Sequence, residues 1–270
     1  MSLFQLIVLG LVQGITEWVP ISSKTQVTFV YLKFFHGDPS LVIPILLFAH
    51  LGTVIAATIY FRHELAGIIR EIAGNPWDLR RHADGKAGFL FSALLFTGLV
   101  VIPLLLAEKH FFPTLDAGIL YALMGAGLIV TGILLLSHKG GNTREIRDVG
   151  WKDGILTGML QGLSTLPGIS RSGTSTTGLI WRGFDSGSSF YLSFLLSIPT
   201  VVLAEILLSY GSTGMNGLPV ADGIILLLTS LGFGYLTLDV LLNVVKRVNI
   251  AYLVLALGIL IIAVGLTGVG

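Results

Sequence analysis

Two charged residues stand where the sequence is otherwise apolar or small. Glu17 lies in the run Gln13-Gly14-Ile15-Thr16-Glu17-Trp18-Val19-Pro20-Ile21-Ser22-Ser23-Lys24-Thr25-Gln26, and Arg171 lies in Gly168-Ile169-Ser170-Arg171-Ser172-Gly173-Thr174. A carboxylate beside hydroxyls can act as a general base next to a nucleophile, or as a ligand to a divalent cation that bridges to an anion. A guanidinium between two serines, after a Gly where backbone can approach closely and before a helix whose N–H groups point back, favours a phosphate or diphosphate. Gly168, Ser170, Ser172, Gly173 and Thr174 are therefore candidate anion-binding positions, with Ser22, Ser23 and Lys24 opposite them. A plain Glu17–Arg171 ion pair would account for the two charges by locking the segments together. It leaves the surplus of hydroxyls and Lys24 unexplained.

The two stretches are copies of one unit. Setting Ser170 on Ser22 also sets Gln161 on Gln13, Gly162 on Gly14 and Ile169 on Ile21. Each copy opens with an apolar run too short to cross a bilayer, broken by Pro or Gly and followed at once by Ser, Thr and a charge. Interrupted segments at matching places in two halves point to a membrane binding site between repeats. With 53% hydrophobic and 11% charged residues and a mean hydropathy of +0.87, the 270 residues cannot bury their apolar surface in a water-soluble core. The chain reads as an all-α, multi-pass integral membrane protein. Its net charge of +1 says nothing about partners, and the absence of Cys excludes disulfide and thiolate chemistry. It carries no Walker loop, zinc-ligand spacing or nucleic-acid module. Residues 3–16 have neither a basic segment before them nor a small-residue cleavage site after them, and are read as mature structure rather than a signal peptide.

The elements that must position the charges follow from length. Residues 3–16 and 25–35 are half-helices. At about 1.5 Å per residue neither spans a hydrocarbon layer of roughly 30 Å, which predicts a re-entrant hairpin over 3–35. Full spans are expected at 41–61, 87–106 and 117–136, closing a first repeat over 1–137. A connector at 138–150 leads to a second repeat, 151–270, with a hairpin at 151–184 and spans at 190–210, 221–244 and 250–266. Three crossings per half invert the second repeat relative to the first. Arg62, Arg70, Arg80, Arg81, Lys86, Lys139, Arg144, Arg147, Lys152, Arg182, Lys246 and Arg247 then fall on one side, Lys33 and Lys109 on the other, and Lys24 and Arg171 inside the hairpins. By the positive-inside rule the rich side and the connector are cytoplasmic, and both termini and the first hairpin face outward across the plasma membrane. Residues 63–72 are expected as an interfacial helix on the inner surface.

At these residues a resemblance enters. Gln13-x-x-x-Glu17 followed by Pro20-x-Ser22-Ser23, then Pro167-Gly168-x-Ser170-Arg171-Ser172, then Ser193-Phe194-Leu195-Leu196-x-Ile198-Pro199, resemble in order the undecaprenyl-diphosphate phosphatase family of bacitracin-resistance proteins. The resemblance runs over nearly the whole chain. It implies an inverted-repeat membrane fold with two re-entrant hairpins, and metal-dependent hydrolysis of a polyprenyl diphosphate to its monophosphate in lipid-carrier recycling. It further implies Glu17 as the essential carboxylate, acting as metal ligand or base, Ser23 as candidate nucleophile, Arg171 as diphosphate clamp, and Ser22, Ser170 and Ser172 as supporting donors. The expected cofactor is Mg²⁺ or Ca²⁺. The expected partners are the lipid substrate and surrounding membrane lipid, with homodimerisation open and no nucleic acid.

The chain departs from that pattern at specific places. Gln13 conforms to a position where the family has Glu or Gln, although an amide contributes less to a cation site. Gln26 stands where the family carries His, and an amide does not transfer protons near neutral pH. Lys24-Thr25 replaces a more usual Thr-Gly pair. His50, within a predicted span, stands where the family has Gln, so the imidazole and amide look exchanged; His50 either supplies the missing group or is an intramembrane histidine bonded to a carbonyl or to Gln26. Glu205 reads as a relay or a pair partner, Asp239 as an interfacial residue that snorkels. Trp18, Trp181 and Tyr191 read as interface or packing aromatics, and His36, His82, His110 and His138 as solvated loop residues. Two function classes follow: a diphosphatase in which Ser23, or water activated by Glu17, attacks phosphorus, and a transporter for a polyprenyl phosphate or another amphiphilic anion.

Overall fold

The computed structural model describes residues 1–74, 78, 82–111, 117–137, 142–211, 217–244 and 248–266, with the side chains of 107–111, 117 and 207–211 outside that description. Arg80, Arg81, Lys139, Lys246, Arg247 and His138 of the charge pattern lie outside the described residues, as do the side chains of Lys109 and His110. The described residues are α-helical with short 3₁₀ and π turns, and hold one isolated bridge, Arg144 to Phe184, instead of strands.

Helix α1 (Leu3–Thr16) starts from a Ser2 cap whose hydroxyl accepts from the Gln5 amide while the Gln5 side chain reaches back. It stops before Pro20, and α2 (Ser23–Phe29) begins after Ser22, whose φ of 59° is left-handed. A π-helical turn at Val30–Phe34 continues it, where the sequence alone predicts one uniform half-helix over 25–35. Beyond lie α3 (Val42–Tyr60), α4 (Arg62–Gly74), α5 (Lys86–Phe111) and α6 (Ala117–Leu136). The second half holds α7 (Trp151–Gly162), α8 (Arg171–Trp181), α9 (Ser186–Gly211), α10 (Val220–Val244) and α11 (Ala251–Leu266).

Among the described residues, five helical stretches are long and apolar enough to cross a membrane: Pro39–Tyr60, Lys86–Leu106, Gly118–Leu136, Ser186–Ile206 and Val220–Val244. The stretch expected at 250–266 forms the shorter α11, of 16 residues. Leucines and isoleucines at Leu95, Leu99, Ile133, Leu228 and Leu236 face outward from these helices, as a lipid solvent requires.

The short helices of each half pack on a long helix of the other. α1 lies along α10, and α7 lies along α5. The approach is close enough to need glycine at matching places: a Cβ on Gly14 would stand 2.7 Å from the Gly234 nitrogen, and one on Gly162 would stand 2.5 Å from Val100 Cβ. α3 also packs on α10, and α6 on α11.

Polar contacts gather at one end of this bundle. A cavity of about 670 Å³ there is lined by Tyr60 at the end of α3, Lys86 at the start of α5, Asp185 and Tyr191 around the start of α9, and Asp239 and Asn243 near the end of α10. Glu64 of α4 pairs with Lys86 and accepts from the Tyr191 hydroxyl at 3.1 Å, which ties the amphipathic α4 to α5 and α9. Asp239 accepts from the Tyr60 hydroxyl at 2.9 Å. The connector closes on the same region. Arg144 and Arg182 both bond to the buried Asp153, at 2.8 and 2.7 Å, and Asn142 donates to the carbonyls of Ile180 and Phe184. Asp153, in the first turn of α7, is thus the buried centre of a clasp.

Candidate functional site

Glu17 sits just past the C-terminal end of α1, where the helix breaks, and is buried to 6% exposure. The break is pinned from both sides. Trp18 is buried and donates its indole N–H to the Gly234 carbonyl at 3.0 Å, and its ring packs on Phe194. That bears out its reading as a packing aromatic. Ser22 then takes the left-handed backbone conformation that turns the chain into α2, an arrangement of the strained kind that clusters at functional sites.

Both oxygens of Glu17 are engaged. Oε2 accepts from the Ser23 hydroxyl at 2.6 Å and from the Gln13 amide, one turn earlier on α1, at 2.8 Å. Oε1 accepts from Arg171 Nη2 at 2.6 Å, across the two halves of the chain. The second terminal guanidinium nitrogen, Nη1, is buried with no hydrogen-bond partner among the described residues, as is the amide oxygen Oε1 of Gln13. A buried orphan donor on Arg171 is the group an anion would satisfy.

Arg171 is the first residue of α8. Ser170 caps that helix, its hydroxyl accepting from the Gly173 amide at 3.3 Å, and its own amide donates to Thr131 of α6 at 3.1 Å. Ser172 lies 3.2 Å from Ser170, oxygen to oxygen, and donates to the Val19 carbonyl of the first hairpin at 3.3 Å. Lys24 reaches back across the halves to the Ser164 carbonyl at 3.1 Å.

These groups line one cavity of about 350 Å³. Glu17, Ser22, Ser23, Lys24, Ser170, Arg171, Ser172 and His50 form its polar wall with Thr97, Ser164, Thr165 and Thr200. Ile43, Leu46, Leu94, Val101, Leu203 and Ile206, from α3, α5 and α9, form its apolar wall. A polar head against an apolar flank is the shape of an amphiphile's site.

Not every candidate comes to this cavity. Gln26 turns its amide onto the Ile21 carbonyl at 2.9 Å, within its own hairpin, and does not line the space. Gly168 serves close packing: at φ +82° it brings the chain against α6, where a Cβ would meet the Met124 carbonyl at 1.9 Å. Gly173 packs against Thr131 and Pro20, and the Thr174 hydroxyl is spent on the Ser170 and Arg171 carbonyls. Gln26, Gly168, Gly173 and Thr174 therefore support the site from behind.

His50 does enter it. Its Nε2 stands 3.6 Å from Glu17 Oε2, its Nδ1 stands 3.4 Å from Glu205 Oε1 on α9, and the Leu46 carbonyl one turn earlier on α3 also faces the ring, so the histidine has a backbone carbonyl of its own helix and two carboxylates about it rather than Gln26. Glu205, read from the sequence as a relay or a pair partner, lines the same cavity and meets His50 there. Gln161, the counterpart of Gln13, donates instead to the Thr97 and Thr200 hydroxyls at 3.0 and 3.1 Å, a network with no single-residue signature.

No group of three His, Asp or Glu side chains converges on a common metal position among the described residues. Mg²⁺ does not need one, since it keeps several waters and binds through one or two protein oxygens plus substrate phosphates. Glu17, which lines the cavity, offers that kind of foothold, and offers less of the six to eight oxygens that Ca²⁺ takes; Gln13 is fully buried behind it and turns its amide N–H onto Glu17.

The fold and the site together define an all-α, multi-pass membrane protein whose two halves meet at a buried carboxylate–guanidinium centre beside an apolar-walled cavity. The family model described as Bacitracin resistance protein BacA matches residues 6–265, and the chain belongs to that family. Relatives named undecaprenyl-diphosphatase include one from Methanococcoides burtonii, 37% identical over 262 residues and covering 96% of this chain and 97% of its own. Another, from Haloarcula marismortui, is 36% identical over 249 residues, covering 90% of this chain and 89% of its own. A third, from Methanothrix thermoacetophila, is 32% identical over 266 residues and covers 97% of each.

Proposed function

We propose that this protein is a membrane phosphatase that hydrolyses undecaprenyl diphosphate, or a closely similar polyprenyl diphosphate, to the monophosphate, returning a lipid carrier to use. The observation that carries the reading is Glu17, which holds the Ser23 hydroxyl on one oxygen at 2.6 Å and Arg171 on the other at 2.6 Å. A nucleophile within hydrogen-bond reach of its base, beside a cation for the phosphate, is the geometry of nucleophilic phosphoryl transfer. The relatives' name supports hydrolysis over transport.

Arg171 clamps the terminal phosphate, turning its free Nη1 and the start of α8 toward the phosphate oxygens, while Lys24 and Ser172 supply further donors. Ser23 Oγ attacks the terminal phosphorus as its proton passes to Glu17 Oε2. The bond from phosphorus to the bridging oxygen breaks, and polyprenyl monophosphate leaves with that oxygen and its electron pair. Water then cleaves the phosphoserine, releasing inorganic phosphate and returning the proton to Ser23. Glu17 would hold Mg²⁺, which when bound would neutralise phosphate charge. His50, beside Glu17 Oε2, supplies the imidazole that Gln26 does not.

The repeat is read as inverted. Supporting that reading, the cavity at one end is lined by the end of α3 with the start of α9 and by the start of α5 with the end of α10, as expected if counterpart helices run in opposite directions. With the basic connector inside, the Glu17 hairpin opens outward. Phosphate release from a C55 or shorter polyprenyl diphosphate by the purified protein in detergent tests the function. Release with Mg²⁺ exceeding that with Ca²⁺, reduced about 10²–10⁴-fold by Glu17→Gln and similarly by Arg171→Ala, is expected. No release from the wild-type protein would sink it.

A further inference from the structure

His50 stands between carboxylates from opposite halves of the chain. Glu17 faces its Nε2 edge at 3.6 Å and Glu205 faces its Nδ1 edge at 3.4 Å, and each of the three side chains is at most 10% exposed. All three line the one cavity. Glu205 is the sole charged residue of α9, placed where an ionisable group in an apolar helix is costly and is kept for a task.

We propose that Glu205 is a positioning residue for the diphosphatase reaction: by holding one edge of the His50 ring it turns the other edge onto Glu17. This rests on the diphosphatase reading above.

An imidazole on a helix rotates about two side-chain bonds, and the edge it presents is set by what the opposite nitrogen meets. The backbone carbonyl of Leu46, one turn earlier on α3, also faces the ring, but it belongs to the same helix and cannot fix α3 relative to the site. Glu205 can, because it comes from α9. The ring it orients faces Glu17 Oε2, which is the oxygen that accepts from Ser23 and from Gln13. The row Glu205–His50–Glu17–Ser23 thus runs from α9 through α3 to the first hairpin. Gln26, committed to the Ile21 carbonyl, gives Glu17 no such support from its own hairpin.

The test is steady-state phosphate release, reading kcat and KM separately, for Glu205→Leu and Glu205→Gln in the wild-type and His50→Ala backgrounds, with Arg171→Ala as the inactive control. Partners that orient an active group typically matter by about 10- to 100-fold. Glu205→Leu should therefore lower kcat at least about tenfold with little change in KM, and Glu205→Gln, whose amide can still bond the ring, should recover most of the loss. In the His50→Ala background Glu205→Leu should change kcat by less than about twofold, because the ring it positions is gone. Equal losses in both backgrounds, or a rise in KM alone, would overturn the inference and leave the diphosphatase reading intact. Absence of release from the wild-type protein overturns both. If Glu205→Leu does not fold, Glu205→Asp carries the same cycle: it withdraws the carboxyl by one methylene, and must lower kcat in the wild-type background and not in His50→Ala.

Discussion

Glu17 serves four neighbours with two oxygens, and its surroundings separate the roles a carboxylate could play. Oε1 belongs to Arg171, while Oε2 is shared by Ser23 and Gln13 and faced by His50. The ion pair alone would lock the hairpins, as a simple structural account of the sequence supposes. The short Ser23 contact adds a nucleophile to it. Replacing Ser23 with Ala therefore distinguishes two mechanisms: if Ser23 is the nucleophile, phosphate release should fall about 10³-fold or more, with substrate still bound through Arg171. A loss under about tenfold would assign the attack to water activated by Glu17. Rapid-quench trapping of a phosphoserine in the wild-type protein checks the same point directly.

The segments that carry these residues are held by backbone and buried-charge devices of their own. Gly168 must be glycine twice over, for its φ of +82° and for the Met124 carbonyl against it. Gly168→Ala should lower stability by at least about 2 kcal/mol, read as a lower melting temperature in detergent. At the far end of the second hairpin, burial favours the neutral form of Asp153, but hydrogen bonds from Arg144 and Arg182 and from the Gly150 amide hold its carboxyl below the usual range. A carboxylate depressed in the folded state stabilises it above the unfolded value of 3.8, and that contribution fades as pH falls through the lower folded value. Asp153→Asn should thus cost about 2 kcal/mol near neutral pH. The figure is below that for a fully buried pair, because both guanidiniums are about a third exposed. Melting curves of wild type and variant should draw together as the pH falls below 3.8, and parallel curves would deny the clasp its electrostatic role.

For the whole molecule, each half contributes what the other lacks: Glu17 and Ser23 from the first hairpin, Arg171 from the second, His50 from α3 and Glu205 from α9. The orientation is testable because the chain contains no Cys. A membrane-impermeant maleimide should label Ser2→Cys from outside intact cells, and Arg147→Cys only after the membrane is opened. The reverse pattern would turn the molecule over. The sequence by itself determined the solvent and the helical class, and it singled out Glu17, Ser23 and Arg171, which the fold brings within hydrogen-bond reach of one another, because hydropathy, period and an isolated charge are local properties that no tertiary contact can hide. It left open whether Gln26 and His50 share a function, named Gly168, Gly173 and Thr174 as candidate anion-binding positions, and did not show which groups Glu205 and Asp153 meet. Those questions turn on which side chain faces which across the packed helices. Only tertiary structure decided them, since a hydrogen bond between groups far apart in the chain leaves no periodic trace in either segment.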